Sequence, residues 1–553
     1  MDKTIAHIIS SLFAIDTTVQ VSRPDEQFGD YTTNVAMQLA KQLGQNPRDI
    51  AQSIAEALRK TGEYQSVEVA GPGFLNITLQ PASLLALVRK EPTPRYAGQN
   101  IVFEYSCPNA FKELHTGHLY QTIFGDIVSR LFLVGGAQLH RTSFGGDVGL
   151  HVAKCIWGMR HELGSDDPAG LDTIEADPFA RARWISSCYV VGAKAYEDDE
   201  AIKQEIDELN KTIYGFHDTN DHESNVAQLY WTTRQWSYDY FEAFYGLIEV
   251  APLRYYPESQ TAPVGLAVVR EQLAAGTLKE SDGAVVFEGD ESKHLHTRVF
   301  ITSNGLPTYE TKDIGVIWQE KADYNFDHRY LITGNDQREY MRVVFAAAEA
   351  FRPELAGTMT HMTNGTVRFG DGSKMSSRLG NVTRGIDVVD AVRAKVTELV
   401  DDKALVNDVV IGAIKYAFAK YRMGGDIAFD LDETVSLQGN SGPYLQYAHA
   451  RARRILEKVE GYDALNDVLP EDRTLVRKLG EYHEVVDMAI RELAPHHICN
   501  YLFELAQEFN RYYETNHVIG SDNERHRAGL VALYADTLRA GLMILGIVAP
   551  HKM

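Results

Sequence analysis

The sequence predicts a mixed fold: a parallel α/β sheet split by an insertion, a small α/β unit before it and an all-α bundle after it. Three observations carry this. Strand-like runs alternate with helical stripes between residues 97 and 385. A shorter α/β pattern fills residues 1–90, and from about residue 386 the apolar spacing is helical. A chain of 553 residues is too long for one core, so three domains are expected.

In the first unit, "TTNVAMQLAKQLGQNPRDIAQSIAEALRK" has helical period. "VEVAGPGFLNITL" reads as two strands punctuated by Gly71, Pro72 and Gly73. The opening "MDKTIAHIISSLFAI" is amphipathic, carries Asp2 and has no cleavage-site pattern, so it reads as a first helix and not a signal peptide. "EPTPR" (Glu91 to Arg95) reads as a stiff linker.

The next unit opens with a buried strand in "NIVFEYS". "TGHLYQTIFGDIVSRLFLVGG" then puts Leu119, Ile123, Ile127 and Leu131 on one helical stripe closed by Gly135 and Gly136. "QLHRTSFGG" is the following strand, and strand–helix–strand implies a parallel pair with a right-handed crossover. An insertion runs from about 151 to 290. "HTRVFITSNG", "RYLITGND" and "THMTNGTVRFGDGS" then read as the second half of the same sheet. Beyond residue 386 the strands are expected to stop. "VVIGAIKYAFAKYRM", "GPYLQYAHARARRILEKV", "RTLVRKLGEYHEVVDMAIREL", "ICNYLFELAQEFNRYYETN" and "AGLVALYADTLRAGLMILGIV" read as a bundle.

Composition narrows the class. Apolar content of 44% with 24% charged residues suits a soluble globular protein, and no run is long enough to span a bilayer. Cys107, Cys155, Cys188 and Cys499 form no CxxC pair, which argues against a zinc site and for a reducing compartment. The net charge of −22 argues against a uniformly basic nucleic-acid surface. Thirteen acids against four cations between His161 and Asn210 carry much of it, so a local basic track stays open.

Two stretches carry chemistry. In "YSCPNAFKELHTGHL", His115 and His118 flank Thr116 and Gly117 where a strand's loop enters a helix, the place where open parallel sheets bind ligands. A helix N-terminus favours phosphate, two imidazoles can donate to phosphoryl oxygens, and Gly117 lets a flat base approach. Alone, the HxxH spacing fits a nucleotide turn, a metal pair or coincidence equally well. The second stretch, "GDGSKMSSRLGN", places Lys374, Met375, Ser376, Ser377 and Arg378 between glycines after a strand. Two phosphate-type loops on two halves of one split sheet favour the nucleotide reading.

HTGH resembles the HIGH signature, and KMSSR the KMSKS signature, of class I aminoacyl-tRNA synthetases. Within that class the chain resembles the arginyl-tRNA synthetase family over nearly its whole length. "FGDYTTNVAMQLAK" with "VEVAGPGFLNI" is similar to that family's tRNA-elbow domain, and "EYSCPNAFKELHTGHL" to its SxPNxxKxxHxGHL segment. "GNSGPYLQYAHAR" and "LGIVAPHKM" are similar to its anticodon-binding helical domain. The resemblance implies a Rossmann-like catalytic domain at 97–385, an elbow-binding domain at 1–90 and an anticodon-binding domain at 386–553. It implies an ATP- and Mg²⁺-dependent ligase that converts L-arginine to arginyl-adenylate and transfers it to the 3′ end of tRNA(Arg). A cytoplasmic monomer, without a membrane partner or a protein-held metal, is expected.

Residue by residue, the resemblance implies His115, Gly117, His118, Lys374, Met375, Ser376, Ser377 and Arg378 at ATP, with His115, His118, Lys374 and Lys112 catalytic. Ser377 stands where the second KMSKS lysine would be, and its charge is assigned to Lys112, with Arg378 as the alternative. Asn109, Glu258, Tyr309, Asp313 and Gln337 are implied to bind arginine. A guanidinium has five donors and no acceptor, so carboxylates are the natural partners. Without the resemblance, Asp313 reads as a cap or surface acid and Tyr309 as core. Phe28, Tyr444, Tyr447, Arg451, Tyr513, His517 and Met553 are implied at tRNA, with bundle core the other reading for Tyr444 and Tyr513. His151 departs from the family's usual Gln, and its role is open.

Overall fold

The computed structural model describes residues 1–369 and 384–553. The first unit comprises α1 (Asp2–Phe13), β1 (Tyr31–Thr33), α2 (Val35–Leu43), α3 (Pro47–Lys60), β2 (Tyr64–Ala70), β3 (Phe74–Leu79) and α4 (Pro81–Val88). The run read as continuously helical is two helices. Gly44 ends α2 in the left-handed region (φ +62°), and Asn46 caps α3 by accepting from the Arg48 amide (2.9 Å) ahead of Pro47. β1 and β2 flank β3, all antiparallel.

The second unit begins with β4 (Asn100–Glu104), α5 (Thr116–Val134), β5 (Gln138–Gly145), α6 (Leu150–Leu163), α7 (Pro178–Asp198), α8 (Glu200–Thr219) and α9 (Asn225–Leu247). It continues with β6 (Arg254–Pro257), α10 (Glu258–Ala274), β7 (Lys279–Ser281), β8 (Ala284–Phe287), β9 (Arg298–Ile301), α11 (Tyr309–Tyr324) and β10 (His328–Gly334). α12 (Arg338–Phe351), β11 (Met359–Asn364) and β12 (Val367–Phe369) complete it. Five strands form one parallel sheet in the order β11-β10-β4-β5-β6. The chain leaves β4 toward β5 on one side, and β10 joins β4 on the other. The strand order therefore reverses between β4 and β10, which opens a ligand crevice at their carboxyl ends. The α5 stripe of Leu119, Ile123, Ile127 and Leu131 is fully buried, as its spacing predicts. At ~1.5–3 kcal/mol for each buried side chain, this stripe fixes α5 against the sheet and against the bundle.

Three details depart from the sequence reading. "HTRVFITSNG" does not join the parallel sheet: β9 pairs antiparallel with β8 in a separate three-stranded sheet with β7. β6 lies inside the stretch read as an insertion, yet it is the edge strand of the main sheet, paired with β5. Strands also do not stop at residue 386: β13 (Ile427–Phe429) pairs in parallel with β12 in a two-stranded sheet apart from the main one. Short strands whose partners are distant in sequence leave no local period to read.

The last unit contains α13 (Gly385–Leu399), α14 (Val406–Ala419), β13 (Ile427–Phe429), α15 (Leu431–Thr434), α16 (Gly442–Leu456), α17 (Arg473–Leu479), α18 (Tyr482–Glu492), α19 (His496–Thr515) and α20 (Glu524–Ile544). One apolar core runs from the first unit through α5 into this bundle, and Tyr120 of α5 meets Phe418 of α14 at 5.3 Å between ring centroids. Arg473 Nη2 reaches the buried Asp30 carboxylate (2.6 Å), and Arg23 Nε reaches Glu484 (3.0 Å), so the first unit docks on the bundle through ions. No helix among the described residues is long and apolar enough to cross a membrane.

Candidate active site

The HTGH turn is self-consistent. His115 is the N-cap of α5: its Nδ1 accepts from the His118 amide (3.2 Å), and His118 Nδ1 accepts from the His115 amide (3.3 Å). The rings stack at 3.7 Å between centroids. Because each Nδ1 accepts, each neutral ring carries its proton on Nε2, and the turn offers two Nε2–H donors. Burial, then His115, then Lys112 push His118 down to about 3, and burial and Lys112 also lower His115. Both rings are therefore neutral donors at physiological pH. A Cβ on Gly117 would stand 2.8 Å from His115 Cε1, so glycine here first makes room for the stacked imidazole.

The loop between β4 and this turn is strained. Ser106 (φ 73°), Cys107 (φ 49°) and Phe111 (φ 66°) are left-handed, at ~1–3 kcal/mol each. Side chains from the insertion hold it. Phe111 N donates to Ser237 Oγ (3.0 Å), Leu114 N to Tyr240 OH (3.2 Å) and Glu113 N to Ser186 Oγ (2.9 Å). Ser106 Oγ shares hydrogen bonds with Tyr245 OH (2.7 Å) and Thr122 Oγ1 (2.6 Å). α7 and α9 thus buttress the loop, a function that the sequence reading missed. Ser237 and Tyr240 lie 126 residues from the groups they hold, and no local signal marks them. Lys112, on this loop, places its ammonium 4.5 Å over the Tyr189 ring of α7.

Four elements build a second pocket beside the turn. A Cβ on Gly146 would meet Asn109 Oδ1 at 2.9 Å, His151 Cε1 at 3.1 Å and Glu258 Oε2 at 3.2 Å, so these three side chains converge where glycine alone fits. Asn109 Oδ1 accepts from the Gly146 amide (2.8 Å), which leaves its Nδ2 for a ligand. Glu258, buried at the start of α10, holds Lys312 Nζ on Oε1 (2.5 Å) and accepts from Tyr214 OH (3.3 Å). Burial raises its pKa, against the pull of Lys312. The Lys312 ammonium also lies 4.9 Å over the Tyr309 ring, and Tyr309 is 68% exposed, not core. Lys312 sits in "YETKDIG" between two sequence-read ligands, a signal that was available and unread.

Tyr309 and Asp313 share α11, as the spacing predicts. Asp313 is buried and accepts from Tyr340 OH; burial pushes it up to about 6, against that hydrogen bond and the Arg329 charge. Below it, the buried Arg329 pairs with Glu320 (2.6 Å) and Glu104. Burial raises Glu104, opposed by Arg329. Gln337 lies apart from these contacts: it is exposed at the end of β10 and donates to Asp336 (3.1 Å), one turn before Tyr340.

The KMSSR stretch, with Lys374, Met375, Ser376, Ser377 and Arg378, lies outside the described residues. Beyond it, Arg384 bridges His115, and the Gly385 amide donates to Leu114 O (2.7 Å). The residues after the stretch are thus pinned to the HTGH turn.

On the bundle, Tyr444, Tyr447 and Arg451 fall on one face of α16. Asn510 and Tyr513 come from α19. Asn510 Nδ2 donates to Tyr444 OH (3.1 Å), Arg451 Nη1 to Asn510 Oδ1 (3.3 Å), and the Arg451 guanidinium lies 5.2 Å from the Tyr513 ring. Tyr447 is 44% exposed, while Tyr444 and Tyr513 are half-buried. His517 is exposed beyond the end of α19, Met553 packs partly against the core, and Phe28 projects from the first unit, 50% exposed.

A parallel sheet with its switch point at β4 and β10, and an HTGH turn capping the helix that leaves β4, defines a class I aminoacyl-tRNA synthetase. Family models agree. "tRNA synthetases class I (R), catalytic domain" matches residues 82–430, "Arginyl tRNA synthetase N terminal domain" matches 1–79, and "DALR anticodon binding domain" matches 445–553. Arginine–tRNA ligases from Thermobifida fusca and Frankia casuarinae are each 31% identical; they cover 97% and 96% of this chain, and 96% and 94% of their own. In fold, the chain matches Thermus thermophilus arginyl-tRNA synthetase with a TM-score of 0.82 at 23% identity, over 100% of this chain and 99% of that one. The chain belongs to the arginyl-tRNA synthetase family.

Proposed function

We infer that this chain ligates L-arginine to tRNA(Arg) at the expense of ATP, and we propose which residues do so. The observation that carries the amino-acid choice is the pair of buried carboxylates, Glu258 and Asp313, beside a phosphate-type helix turn. Asp313 and Glu258 Oε2 take the guanidinium, Tyr309 covers it, and Asn109 and Gln337 hold the α-amino and carboxylate end toward the turn.

ATP enters as its Mg²⁺ complex. Among the described residues no group of three His, Cys, Asp or Glu side chains is placed to hold a metal. The arginine carboxylate oxygen attacks the α-phosphorus, the bond to the bridging oxygen breaks, and pyrophosphate leaves. The His115 and His118 Nε2–H donors stabilise phosphoryl charge without a proton transfer. Lys112, together with Lys374 and neighbouring Met375, Ser376, Ser377 and Arg378, neutralises the leaving group. A ribose hydroxyl at the tRNA 3′ end then attacks the arginyl carbonyl and AMP departs. Phe28 and the strip of Tyr444, Tyr447, Arg451, Tyr513, His517 and Met553 receive the tRNA at its elbow and anticodon ends, with unstacked bases on aromatic faces.

We assign residues 1–90, 97–385 and 386–553 to elbow binding, catalysis and anticodon binding, and we propose a cytoplasmic monomer. ATP–pyrophosphate exchange with arginine, lysine, glutamate and cysteine, with and without tRNA, tests the reading. Exchange only with arginine, and dependent on tRNA, is expected. Exchange driven by another amino acid would overturn it.

A further inference from the structure

The amino-acid pocket already holds an ammonium of its own. Lys312 Nζ sits 2.5 Å from Glu258 Oε1, and both residues are buried. Tyr214 OH donates to the same oxygen (3.3 Å), and the Tyr309 ring lies 4.9 Å from the ammonium. Oε1 therefore carries two donors, while Oε2 faces the spot beside Gly146, 3.2 Å from where a Cβ would stand. The pair is rigidly set. α10 and α11 cross so closely that a Cβ on Gly265 would run into Thr311 O, and one on Gly315 into Thr261 O. Lys312 follows Thr311 directly, so its backbone is fixed against the helix that begins with Glu258.

The neighbouring charges are matched elsewhere. Asp147, whose charge acts on Glu258, pairs with Arg234 (2.8 Å) and accepts from the Ser259 amide (2.8 Å). Glu310 faces Arg298 (3.7 Å), and Arg329 is held by Glu104 and Glu320. Asp313 accepts from Tyr340 OH, a neutral donor. Lys312 thus neutralises Glu258, and Asp313 is left to match one positive charge. A guanidinium suits that balance. Its flat fork of five donors can serve Asp313 and Glu258 Oε2 while Oε1 keeps Lys312. A lysine ammonium is a point charge. To pair with Glu258 it must evict an ammonium that is tethered and carries no association cost, and it would leave Lys312 buried and unpaired.

We propose that Lys312 is a specificity-determining residue: its ammonium fills the place on Glu258 that the ammonium of free lysine would take, so the pocket accepts a guanidinium and rejects lysine. This rests on the function proposed above and deepens it. The carboxylates attract a cation, and Lys312 decides which cation.

The test is pyrophosphate exchange by the full chain with tRNA and ATP present. L-Lysine is titrated first as a competitor of arginine and then as the sole amino acid. In Lys312→Met the lysine Ki is expected to fall about 10–100-fold, the effect of one hydrogen bond to a charged group, and lysine-driven exchange should rise. Lys312→Gln removes the charge with a polar side chain and should shift the Ki the same way, which keeps the test open if the thioether impairs folding. Lys312→Arg retains a tethered cation and should leave lysine as weak as in the parent. Loosened packing weakens ligands, so tighter lysine binding separates selection from mere support. A lysine Ki unchanged or raised in both neutral variants would overturn the proposal. So would a parallel rise in the arginine KM and the lysine Ki, which would put Lys312 at the α-carboxylate common to both. A parent chain with no arginine-dependent exchange would instead overturn the function itself.

Discussion

The two halves of the site are built by opposite means. The HTGH turn is local: four consecutive residues cap a helix, stack two rings and fix two tautomers through hydrogen bonds that span three positions. The amino-acid pocket is tertiary. Asn109, His151 and Glu258 come from a loop, the start of α6 and the start of α10, and they meet where Gly146 leaves space between them. The difference teaches that only the turn itself closes its own hydrogen bonds, while the loop before it leans on distant elements. The pocket depends on buried ion pairs, Lys312 with Glu258 and Arg329 with Glu104, whose partners lie far apart along the chain.

The largest expected effect falls where the halves join. Lys112→Ala should cut kcat for activation by ~10²–10³, as for loss of a transition-state donor, with a smaller effect on ATP binding. Adding Ser377→Lys should return part of the rate if both positions serve one phosphate. A nearly silent Lys112→Ala with a severe Arg378→Ala would move that role to Arg378.

Next, Asp313→Asn should weaken arginine by about 2–4 kcal/mol and spare ATP, since a guanidinium would then face a neutral amide in a buried site. Unchanged arginine KM and turnover would remove Asp313 from the pocket. On the bundle, outside both halves, Tyr447→Ala and Tyr513→Ala should each raise the tRNA KM by about 1–3 kcal/mol equivalent and leave arginine and ATP alone. Lost thermal stability with unchanged tRNA affinity would make both rings bundle packing.

Two pH experiments give the smaller effects and contrast the halves directly. Asp313 has its carboxyl raised to about 6, and only the ionised form attracts a guanidinium. Arginine KM should therefore rise as pH falls through about 6 and be flat above 7. Tyr340→Phe removes the hydrogen bond that opposes the rise, so the rise in KM should begin at higher pH. The HTGH turn should show no matching change. His118 is already neutral down to about 3, so ATP KM should not vary between pH 5.5 and 8 on its account. An ATP KM that tracks a group near 6.5 would contradict the neutral-donor assignment.

Reading the sequence alone reached the helix-capping turn at HTGH, the helical stripe of α5, the bundle and the family. It placed Tyr309 and Asp313 correctly on one helix, because four-residue spacing is intrinsic to a helix. It misjudged β6, β9 and β13, short strands whose pairing is decided by neighbours far along the chain. It took the stretch 151–290 as an interruption, whereas Ser186, Ser237, Tyr240 and Tyr245 hold the strained loop that carries Asn109 and Lys112.

What the sequence determined by itself is whatever rests on contacts within one turn or one strand: periodic burial, caps, and a histidine pair that orders itself. Only the tertiary structure decided that Lys312 pairs with Glu258, that Tyr340 holds Asp313 and that His151 keeps one nitrogen bare. The physical reason is desolvation. Whether a charge or a lone pair is matched depends on which atoms exclude water from it, and those atoms arrive from every part of the chain.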